Sequence, residues 1–164
     1  MTTTGRIHNF GAGPAVLPLE VVEECRKSLP NLDNSGFGLI EISHRSKTFQ
    51  NIVDSSMEKL RRILSIPEDY TVLYLQGGAS LQFYMSALNL LRENEKVDFL
   101  VTGVWSQKAL KEASRIGDAS ARWDDSENGF KSIPRNEDYS VRDDSLYLHY
   151  TSNNTLFGTQ FHHL

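Results

Sequence analysis

The chain has 164 residues, 39% of them hydrophobic and 23% charged, with a net charge of −4 at neutral pH. This much apolar side chain can bury a core, so the composition excludes a disordered chain. No Lys/Arg-rich block invites nucleic acid, and no apolar run is long enough for a membrane-spanning helix.

Cys25 is the only cysteine, which rules out an internal disulfide. The polar start Met1-Thr-Thr-Thr-Gly-Arg-Ile-His8 lacks the apolar core of a secretion signal, so a cytoplasmic protein is expected.

Residues 9–18 read as a Gly- and Pro-rich loop, with Pro18 opening a helix to about Ser28. Turn-forming residues fill 30–38. A long helix is expected from about Lys47 to Leu64, because Phe49, Ile52, Val53, Met57, Leu60, Ile63 and Leu64 recur every three or four residues. The segment Thr71–Gln76 reads as a strand, followed by Gly77-Gly78 and a helix from Ser80 to Leu91. A strand over Val97–Thr102 leads through Gly103-Val-Trp105-Ser106 into a helix ending near Ile116. Further strands are expected over Ala119–Trp123 and Ser145–Tyr150, separated by a polar loop across Asp124–Asp144. Strands alternating with helices predict an α/β fold: a mostly parallel sheet with helices on both faces.

Ligands in such sheets sit at the carboxyl ends of the strands. Gly77–Ser80, Gly103–Ser106 and Thr151–Thr155 all fall there, and the topology is expected to bring them to one rim. A strand ending in glycines lets backbone approach a ligand closely, and the following helix offers free N–H groups to an anion such as a phosphate. The same pattern also serves as a plain connection.

Ser43-His44-Arg45-Ser46 sets a hydroxyl, an imidazole and a guanidinium before the long helix. It is either an anion site, since Arg makes two parallel bonds to a carboxylate or phosphate, or a Ser43 helix cap with solvated neighbours. Trp105 can lie flat on a planar ring or pack between helix and sheet. Asn153-Asn154-Thr155 can make a turn or present a hydroxyl to a ligand. Asp124-Asp125 and Asp143-Asp144 read as solvated loop charges. His8, His149, His162 and His163 show no ligand spacing, so no metal site is expected.

Taken in order, Asn9-Phe-Gly-Ala-Gly-Pro-Ala-Val-Leu-Pro18, Glu41-Ile-Ser-His-Arg-Ser46, Leu75-Gln-Gly-Gly-Ala-Ser80-Leu-Gln-Phe83, Thr102-Gly-Val-Trp105-Ser106 and Asn153-Asn-Thr155-Leu-Phe-Gly158 closely resemble the phosphoserine aminotransferase family. These are class V, fold-type I enzymes dependent on pyridoxal 5′-phosphate. The resemblance implies amino transfer between L-glutamate and 3-phosphohydroxypyruvate, giving O-phospho-L-serine, in a homodimer acting in serine biosynthesis. It implies that Ala79 and Ser80 bind the cofactor phosphate, that Trp105 stacks on its ring and that Thr155 bonds its phenolic oxygen. His44 and Arg45 match the pair that engages the substrate's anionic groups.

The same resemblance implies an N-terminal arm or small-domain segment over 1–17. Residues 18–164 would then be an incomplete cofactor-binding large domain whose C-terminal remainder is absent. None of Lys27, Lys47, Lys59, Lys96, Lys108, Lys111 and Lys131 stands where the family places its Schiff-base lysine. No catalytic residue is therefore assigned, and the chain is expected to be a fragment inactive alone. The alternatives are a truncated, non-catalytic homologue that binds a phosphorylated ligand or a partner subunit, and a class V enzyme with another acceptor.

Overall fold

A computed structural model describes residues 5–162, which form two compact units, one ending at Tyr74 and the other beginning at Leu75. The first unit carries α1 (Leu19–Ser28) and α2 (Lys47–Leu64). Ser46 caps α2, its hydroxyl accepting from Phe49 N at 3.1 Å. That satisfies one of the donors a helix start leaves free. Ser43 is not the cap; its hydroxyl instead accepts from Arg45 N at 3.2 Å. Arg61 and Arg62 fall in the last turn, where the helix dipole favours cations, and Ser65 ends the helix in a left-handed conformation. Neither helix buries a single residue fully.

The second unit contains α3 (Gly78–Leu90), β1 (Lys96–Val101), α4 (Val104–Ala113), β2 (Asp118–Asp124), β3 (Ser145–Tyr150), β4 (Asn153–Asn154) and β5 (Thr159–Gln160). The first three strands form a parallel sheet in the order β2-β1-β3. Phe99 is in register with Ala121 on one side and His149 on the other. Being central, β1 is buried almost throughout, which explains its nearly unbroken apolar run. Val97, Phe99 and Val101 meet Ala87 and Leu91 from the α3 region and Ala109 and Ala113 of α4, with Phe130 closing the cluster.

The intervening Asp98 is 0% exposed yet charged. Arg142 supports it, donating from its backbone N at 2.7 Å and from Nε at 2.8 Å, while Arg122 Nε lies 3.3 Å away. A buried carboxylate persists only when paired and hydrogen-bonded in this way.

Two expectations are corrected here. Thr71–Gln76 forms no strand, although its composition favours one. A strand exists only where a neighbour receives its N–H and C=O groups, and Thr71–Gln76 pairs with none of β1, β2 and β3. Leu73, Tyr74 and Leu75 are each more than half exposed. The following helix begins at Gly78, two residues earlier than expected, after Gly77 takes a φ of +97°. That conformation is open to glycine and costly for other residues.

Candidate functional site

The best-defined polar cluster lies where β1 ends. Thr102 is fully buried and held on every side. Its N–H donates to Ser106 Oγ at 2.8 Å, its carbonyl accepts from Thr159 Oγ1 at 2.7 Å, and its hydroxyl accepts from Asn154 Nδ2 at 2.9 Å. Ser106 also accepts from Gly103 N at 3.0 Å and donates to Gly103 O at 2.8 Å. Gly103 is a steric requirement rather than a conformational one. Its backbone is extended, but a Cβ there would run into the Asn154 amide. The short β4–β5 hairpin is thereby locked against the turn that starts α4.

The consequence is that Trp105 and Thr155, 50 residues apart in sequence, meet. Trp105 Nε1 donates to Thr155 Oγ1 at 3.0 Å. An indole N–H can only donate, so the hydroxyl must accept from it. The hydroxyl's own proton is thereby directed toward some other acceptor. Lys108 Nζ stands 4.5 Å above the indole ring.

Ala79 and Ser80 are exposed in the first turn of α3, which contains no acidic residue. Gly78, Ala79 and Ser80 lie among the first positions of the helix, whose N–H groups have no partner within it. Ser80 lines an open depression of about 630 Å³ with Gly77, Leu81, Tyr84, Glu112 and Arg115. Neither Trp105 nor Thr155 lines it. Of the expected rim segments, Gly103–Ser106 and Thr151–Thr155 are joined directly by the Trp105–Thr155 bond. His44 and Arg45 lie in the first unit, both exposed in the turn that leads to the Ser46 cap.

Two features escaped the sequence reading. Asp125 is buried, not solvated. Its carboxylate accepts from Lys131 N at 2.7 Å, Ser132 N at 2.9 Å and Asn128 Nδ2 at 2.9 Å. Burial alone raises its pKa, but the bonds from Asn128, Ser132 and Lys131 outweigh that and hold it below the usual carboxylate value. His149 stacks on Phe99 at 4.7 Å, and burial lowers its pKa. Its Nδ1, with Thr151 Oγ1 and Asn154 Oδ1, is buried without a hydrogen-bond partner. Short polar residues in loops look alike in sequence, so nothing marked Asp125 or separated Asn154 from Asn153. Among the described residues no cluster of metal-ligating side chains occurs; His163 lies outside them.

A parallel sheet with a helix-start turn and a paired hydroxyl at its carboxyl edge places the chain among the α/β folds. The sequence profile described as "Aminotransferase class-V" matches residues 7–163, and the chain belongs to that family. It is 46% identical over 156 residues to the phosphoserine aminotransferase of Desulfotalea psychrophila, covering 95% of this chain and 43% of that protein. The phosphoserine aminotransferase structure from Bacillus circulans subsp. alkalophilus superposes with a TM-score of 0.85 at 37% identity, over 96% of this chain and 44% of that one. One from Trichomonas vaginalis, described as PLP-bound, gives 0.83 at 34% identity over 97% and 45%. The chain thus spans under half the length of the relatives it matches, and its fold is that of the fold-type I transferase to which they belong. Among the described residues no helix is long and apolar enough to cross a membrane.

Proposed function

We propose that this chain is the N-terminal, cofactor-binding part of a pyridoxal-phosphate-dependent phosphoserine aminotransferase. The complete enzyme moves an amino group from L-glutamate to 3-phosphohydroxypyruvate, giving O-phospho-L-serine for serine biosynthesis. It works as a cytoplasmic homodimer. The division into a segment 1–17 and a cofactor-binding part from residue 18 onward belongs to the same proposal.

The observation that carries the reading is the Trp105–Thr155 hydrogen bond, which sets a flat indole and a donor-directed hydroxyl side by side. The donor set fits the cofactor. Free N–H groups in the first turn of α3, the Ser80 hydroxyl and the lack of a nearby first-turn carboxylate suit a phosphate. Attraction of an anion to a helix start contributes about 0.3–1 kcal/mol when exposed and up to about 2 kcal/mol when partly buried.

Trp105 offers its ring face to a planar heterocycle, which orients it. Thr155 accepts from the indole and donates to an oxygen on that ring, holding it against rotation. When bound, pyridoxal phosphate supplies an electron sink for charge developing on the substrate carbon. Arg45, with its planar fork, and His44 bind the anionic groups of the substrates.

The test is transamination by a full-length enzyme carrying this sequence, assayed with glutamate and 3-phosphohydroxypyruvate. Loss of a charge-assisted bond in Arg45→Ala should lower kcat/KM on the order of 10- to 100-fold while cofactor affinity stays near wild type. Absence of amino transfer to 3-phosphohydroxypyruvate in the wild-type enzyme would sink the proposal. Equal loss of cofactor and substrate binding in Arg45→Ala would sink the assigned division of roles.

A further inference from the structure

We infer that Asn154 is a positioning residue for the Trp105–Thr155 pair, acting through Thr102 and Gly103; as a cofactor role, this rests on the reading above. The Asn154 side chain bonds Thr102 and makes no hydrogen bond to the indole. It is 1% exposed and precedes Thr155 directly. Its Nδ2 donates to Thr102 Oγ1 at 2.9 Å, and its amide fills the space that a side chain on Gly103 would need. It thus tethers the end of β4, and with it Thr155, to the turn from which Trp105 projects.

The remaining two ties on Thr102, from Ser106 and Thr159, fix the turn from the α4 side and from the far strand of the hairpin. The Asn154 amide joins the turn to β4, which Thr155 follows directly. The amide leaves its Oδ1 buried without a partner. An unpaired buried acceptor is unfavourable, and an apolar side chain would avoid it. A group kept at a cost to stability is expected to hold geometry.

The test uses full-length protein with Trp123→Phe in the background, leaving Trp105 as the only indole of this segment. The first readout is the Trp105 Nε1–H resonance in 15N–1H spectra of the cofactor-free protein. Thr155→Val provides the position of that resonance when the hydroxyl bond is gone. Asn154→Ala should move the resonance toward the Thr155→Val position. It should also weaken binding of pyridoxal phosphate about tenfold, the loss expected of one ordinary hydrogen bond.

Thr102→Val, which removes only the acceptor hydroxyl, should move the resonance in the same direction, and it decides the matter if Asn154→Ala does not fold. An unmoved Trp105 resonance in a folded Asn154→Ala or Thr102→Val protein overturns the inference. The resonance is read without cofactor. Failure of the wild type to bind pyridoxal phosphate would therefore count against the proposed function and leave the positioning result to be judged separately.

Discussion

The two units answer different physical problems. In the second, one strand is buried on both faces and organises everything around it: Phe99 is 1% exposed, and Asp98 beside it is fully enclosed with its arginines. In the first, α1 and α2 are well-formed helices with no fully buried residue, and Ile63 on the apolar stripe of α2 is 71% exposed. Local signals such as spacing, a serine cap and basic residues in the last turn suffice to define a helix. They do not bury it. Most helical stability in proteins comes from packing the apolar face, so the two units are expected to differ sharply in how strongly they resist perturbation.

The largest effect should come from the sheet. Phe99→Ala in this chain removes a ring from the tightest part of the core and is expected to cost about 3–5 kcal/mol, read from urea unfolding. Ile63→Ala, by contrast, should stay within about 0.5 kcal/mol. Similar losses at both positions would erase the distinction between the units.

A smaller effect belongs to the first unit alone. Ser46→Ala strips the cap of α2 and should cost about 1 kcal/mol, with faster amide exchange confined to the first turn of α2. Exchange that also quickens in β1 would mean that the units unfold together.

The smallest effect is a dependence on pH in the second unit. Burial lowers the pKa of His149 from its ordinary value of 6.5, so the unfolded chain takes up the proton first. His149 should therefore leave stability undiminished above about pH 6.5 and reduce it as pH falls from there toward the depressed value. His149→Phe, which keeps the stack on Phe99, should flatten that part of the profile of unfolding midpoint against pH. An unchanged slope would show that His149 does not titrate as its burial requires.

Much of this was legible in the chain. The bounds of α1 and α2, the strand Ser145–Tyr150 and the parallel class of the sheet follow from periodicity and punctuation, because these are properties of neighbours in sequence. Thr71–Gln76 misled for the opposite reason: its residues favour a strand, but pairing depends on a partner that composition does not name. The site divides in the same way. Trp105 and Thr155 stood out as candidates, each with an ordinary structural alternative. Asp125 and Asn154 did not stand out, since burial of a short polar residue leaves no trace in the order of residues.

The sequence by itself determined the kind of fold and the helices, through side-chain spacing and the fixed geometry of backbone hydrogen bonds. It also marked the five motifs that carry the family resemblance. Only the tertiary structure decided that Trp105 Nε1 meets Thr155 Oγ1, that Asn154 is tied to Thr102, and that Ser80 lines an open depression. Contacts between distant residues depend on which strands pair and which side chains exclude water, and both are settled by the folded chain as a whole.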